Sequence, residues 1–224
     1  MTSRVIAIDG PAGSGKSTTA RAVADRLGIA HLDSGALYRA VTLAALDAGV
    51  ELTGQRIVAL AKSLPVRLSL AEGKYRAEVA GVDASAEIRS DRVTARASEV
   101  SALPEVREWV NGELREAART HPRGVVMDGR DIATVVFPDA VIKVFMTADG
   151  EERAKRRLLQ LGRTTDRDSV RQTVVDINER DRKDSTRAVA PLTRAEQAVV
   201  LDTTEIGFEE QVEQVVALGR KVFS

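Results

Sequence analysis

The sequence has no cysteine, which excludes disulfide bridges, thiolate metal centres and cysteine nucleophiles together and suits a reducing compartment. Aromatic residues are scarce, with one Trp, two Tyr and four Phe in 224 residues. Hydrogen bonds must therefore carry more of the recognition of a flat ligand than stacked rings do. Neither sign of charge dominates: 33 Lys and Arg face 33 Asp and Glu, so no global basic field exists to hold a nucleic-acid polymer. Long apolar runs are missing too. The short one after Arg4 cannot form a signal-peptide core, and nothing approaches the ~18 residues of a membrane span. With 43% hydrophobic and 29% charged residues, the composition is that of an ordinary globular protein, expected to be cytosolic and to use neither membrane nor polymeric nucleic acid. The length suits one domain with insertions or two small ones.

What is present begins with VIAIDGPAGSGKSTT, Val5 to Thr19. Gly10, Gly15, Lys16 and Ser17 fit G-x-x-x-x-G-K-[ST], with an apolar strand ahead and a helix with Ala20, Val23, Ala24 and Leu27 on one face behind. Glycines let successive N–H groups turn inward around a polyphosphate. The helix N-terminus adds positive potential, Lys16 a point charge, and the Ser17 hydroxyl a ligand for Mg²⁺. The residues from Gly10 through Pro11, Ala12, Gly13, Ser14, Gly15, Lys16 and Ser17 to Thr18 are thus expected to bind a nucleoside triphosphate with Mg²⁺, and Ser17 to touch the metal.

Further along, Ile29 to Leu32 reads as a second strand, and Asp33 or Ser34 can cap a helix carrying Leu37, Tyr38, Arg39, Val41 and Ala44. Capping alone explains that pair, while Arg39 projects from a strand end where ligands of open α/β sheets collect. Thr53 to Leu64 predicts a helix stopped by Pro65, and Arg67 to Val82 alternates around Glu72-Gly73-Lys74 as an antiparallel hairpin. The hairpin breaks the βαβ rhythm and reads as an insertion apart from the parallel sheet. A helix opens at Pro104. His121 reads as a solvated loop residue and His31 as a structural one. Val125 to Met127 is a third strand with Asp128-Gly129-Arg130-Asp131 at its end, and Asp128 is placed to support Mg²⁺. A D-G turn is the plain alternative for that block. Strands Val141 to Met146 and Ala198 to Leu201 follow, with helices at Asp149 to Leu161 and at Phe208 to Val222, the latter burying Phe208, Val212, Val215 and Val222. Between the last two strands lies an arginine-rich stretch. Most of its charges read as solvated helix faces, but Arg153 and Arg157 lie one turn apart and Gly162 offers a hinge, which suits a lid that brings cations to a transferring phosphoryl group.

The expected fold is α/β, a three-layer P-loop NTPase type with a five-stranded parallel sheet. Residues 1–32, 102–161 and 185–224 make its core, 33–101 an inserted subdomain with the hairpin, and 162–184 a short lid.

GPAGSGKST at Gly10 to Thr18, LDSGALYR at Leu32 to Arg39, EIR at Glu87 to Arg89, VRE at Val106 to Glu108, DGRDIATVVFPDA at Asp128 to Ala140, RDRKDSTRAVAPL at Arg180 to Leu192 and VVLDTT at Val199 to Thr204 together resemble bacterial cytidylate kinases, in unbroken order over the whole chain. The resemblance implies ATP-dependent phosphorylation of CMP and dCMP, with 33–101 as the nucleoside-monophosphate-binding subdomain. It implies that Ser34, Arg107 and Asp131 read the cytosine, that Arg39 and Arg130 hold the acceptor's α-phosphate with help from Tyr38, and that Ser98, Arg180, Asp184 and Arg187 surround ribose and base. A carboxylate accepting from the cytosine amine matches in kind the pairing of acidic side chains with that edge. Catalysis would fall to Lys16, Arg130, Arg153, Arg157 and Arg163 as charge-neutralising groups, with no strong general base required. Another small-molecule kinase on the same fold, or a nucleotide-dependent switch or binding module, stays open; no N-K-x-D block for guanine is present.

Overall fold

The structure is a computed structural model describing residues 3–223. In chain order its elements are β1 (Ser3–Asp9), α1 (Lys16–Leu27), β2 (Ala30–Asp33), α2 (Ser34–Asp47), α3 (Gly54–Ser63), β3 (Val66–Ala71), β4 (Lys74–Val79), β5 (Val82–Asp83), α4 (Asp91–Val100) and α5 (Pro104–Arg119). These are followed by β6 (Val125–Gly129), β7 (Ala140–Thr147), α6 (Gly150–Gln160), α7 (Arg167–Thr186), β8 (Val199–Asp202) and α8 (Phe208–Phe223). The described residues form two compact units, one ending at Gly28 and resuming at Val126, the other Ile29–Val125.

In the first unit β6, β1, β7 and β8 lie side by side, with β7 parallel to both β1 and β8. Val5, Ile6, Ala7 and Ile8 of β1 are buried, as are Val126 and Met127 of β6 and Val144 and Met146 of β7. That is the near-continuous apolar run of strands covered on both faces. Helix α1 packs on α8, and α6 on α7. A π-helical turn, Ile132–Val136, follows the block after β6 where a plain turn was the alternative.

In the second unit α2 is buried along Leu37, Val41 and Ala44, and Asp33, rather than Ser34, caps it by accepting from the Ala36 N–H over 3.2 Å. The expected hairpin forms from β3 and β4, paired from Val66↔Val79 to Ala71↔Lys74. Glu72 and Gly73, with φ of 51° and 73°, make the two-residue loop with positive φ at both positions that matches strand twist. One expectation is corrected here. The hairpin is not apart from the parallel strands, because β4 pairs in parallel with β2 at His31↔Lys74. The reason is burial: Val66 and Ala77 point into the core, and α2 packs on both β3 and β4. The unit contains the expected 33–101 stretch and adds β2 and α5. Its helix α4, whose Val93, Ala97 and Val100 are buried, was not anticipated.

Candidate active site

The loop between β1 and α1 has a shape that only glycine permits at two points. Gly10 has φ 151°, and a Cβ there would stand 2.0 Å from the Met146 carbonyl of β7. Gly13 has φ 77°, and a Cβ would meet the Arg153 carbonyl at 2.7 Å. The loop is thus wedged between the end of β7 and the start of α6. Gly15 stands at the N-cap of α1 without a side-chain cap, leaving the first-turn amides to an anion.

Lys16 is buried, and its Nζ donates to the Pro11 carbonyl over 2.7 Å and to Ser14 Oγ over 3.4 Å. Burial is the main cause that pulls its pKa down to about 7; Arg130 and Arg180 push the same way, and Asp128 and Asp181 oppose. Ser17 Oγ donates to Asp128 Oδ2 over 2.5 Å. These are hard oxygen donors of the kind Mg²⁺ takes alongside phosphate and water. Among the described residues no cluster of three or more His, Cys, Asp or Glu could hold a metal by itself. Asp9, at the end of β1, accepts from the Ile132 and Ala133 N–H groups over 2.9 and 2.7 Å; burial raises its pKa to about 6 against the pull of those two amides.

Beside the loop opens a cavity of about 480 Å³ lined by Gly13, Gly15, Lys16, Ser17 and Thr18 on one side and by Arg156, Arg157, Ile206, Phe208 and Gln211 on the other. It offers a cationic, amide-rich end for phosphates and a partly apolar end for a nucleoside. Several of these residues were missed by reading the sequence. Arg156 donates from Nη1 to Thr203 Oγ1 over 2.8 Å and from Nη2 to the Thr203 carbonyl over 2.6 Å, which fixes the wall of the cavity to the end of β8. Gln211 is buried, and its Oε1 has no hydrogen-bond partner. Phe208 and Val222, expected inside, are 43% and 37% exposed. They stand at the two ends of α8, where the inward stripe of Val212, Val215 and Val216 runs out.

The block after β6 is tied to the C-terminal end of α7. Arg130 Nε donates to Asp184 Oδ2 over 2.8 Å, and Arg187 Nη2 to Asp131 Oδ1 over 3.3 Å. Arg180, on the same helix, acts electrostatically on Lys16. The three arginines expected to serve the transferring group are not alike. Arg153 is buried and ion-paired with Asp181. Arg157 lines the cavity and donates to Gln160 Oε1 over 2.9 Å. Arg163 lies on the exposed turn after α6, its N–H bonded to the Leu158 carbonyl.

In the second unit Arg107 is buried with its guanidinium 5.3 Å from the Tyr38 ring centroid, a cation–π contact, and donates to the Ser101 carbonyl over 2.9 Å. Tyr38 OH donates to Asn111 Oδ1 over 3.3 Å. Arg39 donates to Thr94 Oγ1 over 2.8 Å and to the Ile88 carbonyl over 3.2 Å. Ser34 is buried at the first position of α2, the Ser98 carbonyl on α4 accepts from Ser101 Oγ, and His31 is buried in β2.

A buried strand, a glycine-shaped loop with an embedded lysine, a serine facing a carboxylate and a parallel sheet define a P-loop nucleotide-binding protein of α/β class. A family model described as cytidylate kinase matches residues 6–221. A cytidylate kinase of Nocardia farcinica is 45% identical over 212 residues, covering 94% of this chain and 91% of the relative, and one of Yersinia enterocolitica is 42% identical over 221 residues, covering 98% and 95%. The chain belongs to the cytidylate kinase family. A crystal structure of an uncharacterized protein from Eubacterium ventriosum shares the fold, with a TM-score of 0.50 at 11% identity, covering 96% of this chain and 98% of that one.

Proposed function

We propose that this chain transfers the γ-phosphoryl group of ATP in line to the α-phosphate of CMP, and of dCMP, yielding the diphosphate. The observation that carries this reading is the loop whose buried Lys16 stands beside the Ser17 and Asp128 pair, in a member of the cytidylate kinase family. The loop amides and Lys16 bind and orient the triphosphate. Ser17, with Asp128 behind it, would hold Mg²⁺, which when bound neutralises phosphate charge. The acceptor oxygen is already ionised at neutral pH, so the chain needs no strong base; it supplies position and cations.

For the acceptor, the proposed assignments are Asp131, Arg107 and Ser34 to the cytosine, Arg39, Arg130 and Tyr38 to the phosphate, and Arg180, Asp184, Arg187 and Ser98 around the ribose and base. Arg157, near the end of α6, and Arg163, on a lid over 162–184, would reach the transferring group. A cytosolic monomer acting on free nucleotides belongs to the same reading. The test is ADP release from ATP and Mg²⁺ with and without CMP. A steep rise on adding CMP is expected; equal rates would overturn the reading and leave a slow nucleotide hydrolase.

A further inference from the structure

One peptide of the phosphate loop is gripped at both ends by charged side chains. The Pro11–Ala12 peptide presents its carbonyl to Lys16 Nζ at 2.7 Å and its N–H to Asp181 Oδ1 at 2.8 Å. Asp181 belongs to α7, 169 residues away in sequence from Ala12. Its other oxygen is ion-paired with Arg153, whose Nη1 also donates to the Ala12 carbonyl over 3.0 Å. Arg153 itself is fixed by donating to the Ala148 carbonyl over 3.1 Å and to Asn178 Oδ1 over 3.3 Å.

Packing does not require this arrangement. Ala12 already sits in an apolar cluster with Ala154, Leu158, Val170 and Ile177, which joins the loop to α6 and α7 without any charge. An uncompensated carboxylate beside a site built for phosphate would weaken it by repulsion. Here Arg153 compensates the charge, and the remaining lone pair of Asp181 orients a single peptide plane. If that plane rotated, the Pro11 carbonyl would leave the Lys16 ammonium, which would lose its strongest anchor in the loop.

We propose that Asp181 is a positioning residue: seated on Arg153, it holds the Pro11–Ala12 peptide so that the carbonyl places the Lys16 ammonium for the triphosphate. The nucleotide-binding loop alone carries this inference, and only its activity assay rests on the kinase reading given above.

The test compares the full-length parent with Asp181→Asn, Asp181→Ala and Asp181→Glu. Asn keeps an acceptor for the Ala12 N–H but not the charge. In initial rates with ATP, Mg²⁺ and CMP, Asp181→Ala should lower kcat at least tenfold with the KM for CMP within twofold of the parent, while Asp181→Asn should stay within about fivefold of the parent kcat. Asp181→Glu, whose longer side chain carries the carboxylate away from the Ala12 N–H, should resemble Asp181→Ala. A pure strut would lower the melting temperature alone, so parent-like kcat in Asp181→Glu overturns the proposal even if Asp181→Ala fails to fold. Should the parent not phosphorylate CMP, the kinase reading has failed while Asp181 is still tested: calorimetric affinity for ATP with Mg²⁺ must then fall at least tenfold in Asp181→Glu and stay near the parent's in Asp181→Asn, and unchanged affinity in Asp181→Glu overturns the proposal.

Discussion

Arg187 Nη2 lies 3.3 Å from Asp131 Oδ1, and the two side chains are only 7% and 6% exposed. The proposed cytosine reader is therefore one half of a buried ion pair. Deleting a single partner of such a pair strands a charge and costs about 3–5 kcal/mol, so Asp131→Ala would confuse base recognition with folding. Asp131→Asn also leaves the Arg187 charge uncompensated but keeps its hydrogen bond, because the amide oxygen can still accept from Arg187 while the amide nitrogen can donate to the carbonyl that uracil has in place of the cytosine amine. The expected outcome is a fall in kcat/KM for CMP of tenfold or more and a rise for UMP, with ATP binding within twofold of the parent. An unchanged ratio of the two kcat/KM values would remove Asp131 from the base-reading role.

Lys16 provides a prediction through its proton. In the nucleotide-free protein, burial first and Arg130 second lower its pKa to about 7. A bound triphosphate replaces lost water with anionic partners and so favours the ammonium. Binding ATP above that pH must then take up a proton. Titration calorimetry in buffers of different ionisation enthalpy should show uptake approaching one proton near pH 8 and close to none at pH 6, with affinity weakening as pH rises between them. Lys16→Met should abolish the lysine's contribution to that uptake. Uptake independent of pH across this range would mean that Lys16 is already charged in the free protein.

The loop and its flanking strand and helix were legible because their signals are local: glycines at fixed spacing, an apolar run, and a 3.6-residue stripe. All five expected strands form, and the hairpin forms around the residues that named it. Its pairing with β2 was not legible, since strand adjacency depends on burial that no local pattern displays. Arg130 with Asp184, Arg187 with Asp131, and Asp181 with Ala12 join residues 54, 56 and 169 positions apart. Composition shows such charges but not their partners, and this is why Arg153 reads as a lid cation in sequence and proves to be seated beneath the loop. Helix α4 was within reach, for Val93, Ala97 and Val100 keep helical spacing. The polar residues between them hid it.

Asp9 gives the last prediction, and its sign is unusual for a carboxylate. Burial raises its folded pKa from 3.8 to about 6, so between those values the folded protein holds a proton that the unfolded chain has released. Stability contributed by this group is complete below about pH 4 and is lost as pH rises toward 6, by about 3 kcal/mol at 1.36 kcal/mol per pKa unit. Chemical denaturation from pH 4 to 7 should therefore show Asp9→Asn gaining on the parent as pH rises; a constant difference would mean that Asp9 titrates normally. The loss would be larger without the N–H groups of Ile132 and Ala133, which both point at the carboxylate. Those residues directly follow Asp131, so the ionised form that weakens the fold also grips the π-helical turn most firmly. If that grip orients Asp131, Asp9→Asn should compare better with the parent in stability at pH 7 than at pH 4 and yet discriminate less well between CMP and UMP.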